Sequence, residues 1–110
     1  MAIPHAESGT IIKIDPLKQK LSETKTHTLA KTDKLEIIRL IMKKGKEISP
    51  HSSPGPITVQ CLEGRVQFST QGKDLDMVPG NLTFLNGCET HSVKAIEDSS
   101  LLLTLQIMKH

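Results

Sequence analysis

At 110 residues, 36% of them hydrophobic and 24% charged, the chain can close one apolar core but is too short for two. That composition excludes a disordered polymer, and no run of eighteen apolar residues exists to span a bilayer. The formal net charge of +2 is small but uneven, since ten of the fourteen Lys and Arg residues lie before Pro50 against six acids.

A basic half can mark a nucleic-acid face. Here the chain has no Trp or Tyr and only Phe68 and Phe84, so it lacks the aromatic platforms on which single strands stack. A solvated basic surface is the expectation, with neither nucleic acid nor membrane as partner. The opening MAIPHAESGT has neither the basic end nor the apolar stretch of a signal peptide, so a cytoplasmic location is the expectation. Cys61 and Cys88 are too few for a disulfide framework and match no paired-cysteine zinc spacing.

In chain order, residues 1–9 carry little apolar content and are expected to be loosely held. Runs rich in strand formers and bounded by Gly, Pro, Asn and Asp then predict strands at 10–14, 25–31, 35–43, 57–63, 65–70, 73–77, 82–85, 91–96 and 100–107. Pro16 to Glu23 is the one stretch that reads as a helical turn. KTDK at 31–34 separates two apolar-alternating runs and predicts a hairpin. In VQCLEGRVQF the dipeptide Glu63-Gly64 predicts another, and Gln71-Gly72 turns the chain again. Such a cadence belongs to all-β sandwiches and barrels. Residues 1–24 are expected to pack on the barrel or on a partner, and 25–110 to form the barrel itself. LEIIRLIM, from Leu35 to Met42, is apolar on more than one face. It predicts an edge strand covered by a second copy, hence a homodimer.

The segment GKEISPHSSPGPITVQCLEG resembles the first sequence motif of the cupin superfamily. There a Gly is followed after five residues by His-x-His, then after three or four by Glu, and after six more by Gly. Gly45, His51 and Gly64 fall in register, while Ser53 stands at the second His position and Ile57 at the Glu position. GNLTFLNGCETHSV resembles the second motif: Gly80 opens it, Asn86 stands for the usual Pro, Cys88 for the usual Gly, His91 is at the ligand position and Ala95 is where an Asn is usual. The resemblance covers most of residues 35–107 and extends to small bacterial cupins without assigned activity. It implies a jelly-roll-like double-stranded β-helix in which His51 and His91, forty residues apart in sequence, converge on one interior point.

Imidazole suits divalent transition metals, but a stable site takes three or four protein ligands. The motif positions supply two, and Ile57 replaces the carboxylate that would neutralise the ion. Pro54 holds Ser53 extended, where its hydroxyl can orient a water. His5, His27 and His110 are further candidate ligands. Cys88, three residues before His91, offers a thiol to the site, whereas Cys61 alternates with Val59 and Ile57 on one strand face and reads as core. The triplet Asn81-Leu82-Thr83 is a chance glycosylation match.

Besides a purely structural or regulatory role without a ligand, two readings of function stay open. One is a small-molecule-binding barrel whose pocket is lined by Ser53, Ile57, Val59, Cys61, Phe84 and Cys88, with His51 and His91 as polar contacts. The other is a metal-dependent enzyme, a dioxygenase or isomerase, in which the same two histidines hold the ion.

Overall fold

The computed structural model describes residues 5–108. Nine strands follow a short 3-10 turn at Lys18–Glu23: β1 (His27–Lys31), β2 (Leu35–Met42), β3 (Glu47–His51), β4 (Ile57–Glu63), β5 (Val66–Thr70), β6 (Lys73–Met77), β7 (Leu82–Leu85), β8 (His91–Ala95) and β9 (Ser99–Gln106). They form a five-stranded sheet in the order β1-β2-β9-β4-β7 and a four-stranded sheet in the order β3-β8-β5-β6. The pairings are antiparallel. No helix among the described residues is long and apolar enough to cross a membrane.

Alternation along the strands builds the core. On β4, Ile57, Val59 and Cys61 are buried, as are Val66, Phe68 and Thr70 on β5 and His91, Val93 and Ala95 on β8. Phe68, Val59, Val66, Cys61 and Leu101 are almost wholly excluded from solvent. Removing each large apolar side chain from water contributes about 1.5–3 kcal/mol.

Two of the three expected turns join paired neighbours. Between β1 and β2, Thr32 Oγ1 accepts the Lys34 and Leu35 amides. Between β5 and β6, Gln71 and Gly72 both take positive φ, 53° and 74°, the geometry whose twist matches a two-residue hairpin. The third expectation fails. Glu63-Gly64 does not close a hairpin, because β4 pairs with β7 and β9 while β5 pairs with β6 and β8. Gly64 instead turns the chain from one sheet into the other. Its φ is +84°, and a Cβ there would collide with the Asp98 carbonyl and Ser99, so only glycine fits.

Three further expectations are corrected. Residues 10–14 form no strand and run unpaired toward the 3-10 turn. β3 occupies a segment read as loop: its polar residues and Pro50 hide it, and it tolerates proline because it is an edge strand. The Leu35–Met42 strand is not an edge, since β2 lies between β1 and β9. Its outward-facing Arg39 is buried under the N-terminal segment, where Nη2 donates to the Asp15 carbonyl.

Candidate functional site

β3 and β8 bring the two motif histidines together. The register runs Ile48↔Val93 and then His51↔His91, so β3 spends three steps where β8 spends two. The extra residue is a bulge, which accommodates Pro50 and re-aims the strand end so that His51 sits opposite His91. The ring centroids are 4.3 Å apart and tilted by 58°. Beneath them, Phe68 stacks on the His91 ring at 5.5 Å.

The two rings differ in exposure and share one hydrogen-bond pattern. His51 is exposed and His91 only 5% so. Each Nδ1 meets the carbonyl two residues before it, His51 to Ser49 at 2.9 Å and His91 to Glu89 at 3.1 Å. A carbonyl can only accept, so Nδ1–H donates in both rings and the Nε2 lone pair of the neutral ring is left for something else. Burial lowers the pKa of His91, the Glu89 carbonyl partly opposes this, and the nearby His51 lowers it further. The lowered pKa favours the neutral, lone-pair-presenting form of His91.

Two loops flank this end of the molecule. The Cys88 amide donates to the Ser53 carbonyl at 2.7 Å, and a Cβ on Gly87 would strike the Pro54 carbonyl. This close approach draws Ser53 and Cys88 together. Cys88 has φ 67°, keeping the left-handed backbone of a position where the second cupin motif has glycine, at the cost of steric strain. It is an exposed free thiol.

The remaining expected pocket residues are placed otherwise. Val59 and Cys61 are packed into the core, and burial raises the Cys61 pKa, the Glu63 carboxylate adding to the rise and a backbone hydrogen bond at Glu63 opposing it. Ile57 is buried between Leu85 and Leu105 in register. Phe84 is not an interior residue: it is 68% exposed. Leu85 and Thr83 pair with the inward Ile57 and Val59, so Phe84 alternates onto the outer surface. A cavity of about 320 Å³ lined by His91, Pro50, Thr70 and Thr90 lies around the β5–β6 turn rather than between the sheets.

No group of three His, Cys, Asp or Glu among the described residues is placed to hold a metal ion. His27 sits in the other sheet, opposite Arg39; His110 lies outside the described residues. Two neutral imidazoles without a carboxylate do not fit a complete divalent centre.

A second polar cluster was not foreseen. Glu63, at the end of β4, accepts the Leu17 and Lys18 amides at 2.9 and 3.1 Å and the Ser100 hydroxyl at 3.1 Å. Arg39 Nη2 stands 3.5 Å from it. Burial pushes the Glu63 carboxyl upward, but these three hydrogen bonds and the Arg39 charge together outweigh it, and its pKa is lowered. At Arg39 burial outweighs the attraction of Glu63 and Asp15 and lowers the pKa; a guanidinium starts so high that it stays charged. Lys18, at φ 54°, is held in its left-handed conformation by the hydrogen bond its backbone N–H donates to Glu63. No local sequence signal links Arg39 to Glu63, because β2 and β4 are joined only through β9, and the Leu17 and Lys18 amides that complete the cluster come from a segment that folds back over the sheet.

No family model matches the chain, and no curated protein does. Solved structures do. A conserved protein of unknown function from Streptococcus pyogenes superposes with a TM-score of 0.75 at 21% identity, covering 100% of this chain and 97% of that one. A cupin superfamily protein from Desulfitobacterium hafniense gives 0.73 at 18%, covering 76% of each. An RmlC-like cupin from Desulfovibrio desulfuricans gives 0.69 at 19%, covering 94% and 98%. With two facing antiparallel sheets, one core and these neighbours, the chain has the fold of the cupin superfamily.

Proposed function

We propose that this barrel is a small-molecule-binding module whose polar contacts are His51 and His91, and that it does not depend on a resident metal. The observation that carries this reading is the shared hydrogen-bond pattern of the two rings. With each Nδ1–H committed to a carbonyl, Nε2 is the acceptor in the neutral form of either ring. Its partner is then a donor, such as the hydroxyl or N–H group of a small neutral ligand. His51 provides the solvent-facing contact and His91 the sheltered one. The metal-dependent alternative needs a third ligand and a compensating negative charge, and its family positions hold Ser53 and Ile57. Calorimetric titration of tag-free protein with Zn, Ni and Mn tests the choice. Weak binding is expected, and Ser53→His with Ile57→Glu should strengthen it if the fold tolerates the carboxylate. Tight, stoichiometric binding by the parent that disappears in His51→Ala would overturn this reading and favour the enzyme.

A homodimer is proposed as well, through a different surface from the one the sequence suggested. Leu82 and Phe84 are 64% and 68% exposed on the outer face of β7, next to Gln60 and Thr58, which in turn neighbour Leu102 and Thr104. An apolar row at a sheet edge is what a self-complementary contact uses. Sedimentation should show a dimer at micromolar concentration and a monomer for Leu82→Glu with Phe84→Glu. A monomeric parent would remove the proposal.

A further inference from the structure

The basic bias of the first half is not absorbed by the histidine pair, and part of it converges elsewhere. On the outer face of the five-stranded sheet, the chain from Lys13 to Lys20 folds over Arg39 as a strap and leaves a cavity of about 310 Å³ lined by Lys13, Asp15, Pro16, Leu17, Lys20 and Arg39. Three cations thus face one carboxylate. The other acid nearby, Glu63, is already spent, since both its oxygens accept hydrogen bonds from the strap and from Ser100.

Arg39 is only half used. Its Nη2 carries the contacts to Asp15, Ser100 and Glu63, whereas its buried Nε has no hydrogen-bond partner among the described residues. The residue is 3% exposed. A charged donor sealed from bulk water and left unpaired is costly, and such groups recur where a water or an ion completes the bonding. Lys13 and Lys20 are exposed, with flexible ammonium groups free to close over an occupant, while Pro16 and Leu17 give the wall an apolar component.

We infer that this cavity is a binding site for a small oxyanion, a carboxylate or a phosphate, with Arg39 as the buried anchor and Lys13 and Lys20 as the mobile contacts. Charge-assisted bonds to such an anion supply the missing partner and oppose the excess of positive charge. Binding would also fasten the strap, because Asp15 and Leu17 belong both to the cavity and to the contacts with Arg39 and Glu63.

The test titrates the full chain with sodium phosphate and, separately, sodium succinate, against sodium chloride at equal ionic strength. Calorimetry and the nitrogen-proton resonance of Arg39 Nε are the readouts. Saturable binding of either anion with a shift of that resonance is expected, and which anion binds assigns the chemistry. Lys13→Ala with Lys20→Ala, both at exposed positions, should weaken it roughly tenfold; Arg39→Gln should abolish it. No saturable response to phosphate or succinate beyond chloride overturns the site, as does binding that the double lysine variant retains unchanged. Neither result bears on the histidine pair, which lies in the other sheet.

Discussion

The His51–His91 pair and the Arg39–Glu63 pair are both polar couples fixed by strand geometry, yet they are used oppositely. Glu63 has almost no bonding capacity left: two backbone amides, a hydroxyl and a guanidinium converge on it. The imidazoles each make one bond to a neighbouring carbonyl and keep a ring nitrogen in reserve. A saturated polar group holds structure, because every partner it loses leaves a buried charge or dipole exposed to nothing. A pair with free lone pairs is available for a ligand. Removing Glu63 should therefore cost the molecule far more than removing either histidine.

The largest effect expected is that of Glu63→Ala, which strands the buried Arg39 and frees the strap. About 2–3 kcal/mol of stability should be lost, discounting the pair for its partial exposure. Denaturant melts measure the loss, and limited proteolysis should cut between Lys13 and Lys20 first. A loss below about 0.5 kcal/mol, the range of an ordinary surface change, would erase the contrast between the two pairs.

Acid titration separates the pairs in a second way. His91 has a folded pKa below the ordinary 6.5, so the unfolded chain binds its proton first. The His91 contribution is fully present above 6.5 and is lost as pH falls through the depressed folded value. Glu63, lowered from 4.5, contributes stability that is present above 4.5 and is lost at still lower pH. Wild type should lose stability in two stages. In His91→Phe, which keeps an aromatic ring against Phe68, the upper stage should vanish and the lower one remain. An unchanged upper limb in that variant would assign the proton uptake elsewhere.

The smallest effect concerns the thiols. Cys61 is buried and its pKa is raised, while Cys88 is exposed. A thiol reagent should label Cys88 alone in native protein and both after denaturation. Rapid native labelling of Cys61 would mean that β4 opens readily and that the barrel interior is accessible after all.

Most of the strands were legible because alternation and bounding Gly or Asn residues follow directly from a half-buried pleat. β3 was not, since Pro50 argues against a strand unless the strand lies at an edge. Leu35 to Met42 carried apolar residues on both faces, which suits an edge beneath a partner and equally suits an interior strand beneath the chain's own strap. The histidine pair was recoverable from the spacing of its two motifs, although the bulge that aligns the rings was not. Phe84 was misplaced because it alternates with Leu85 in a strand with apolar residues on both faces, and hydrophobicity alone does not choose between them. The Arg39–Glu63 pair depends on a strand order that brings in the distant β9, and its amide partners depend on where an irregular segment settles, for which no periodic signal exists.

The placement of β9 between β2 and β4 has a consequence for how the chain comes into being. During synthesis β2 and β4 leave the ribosome long before β9, and neither pairs with the other. Each carries apolar residues with only a flanking neighbour, β1 or β7, to cover one edge. The five-stranded sheet cannot close until Ser99–Gln106 inserts between them, so the nascent protein spends an interval with two open, adhesive edges. The β5–β6 hairpin needs no such delay. Folding should thus be slow for a chain of this size and governed by the arrival of one strand, whose Leu101 and Leu103 complete the core.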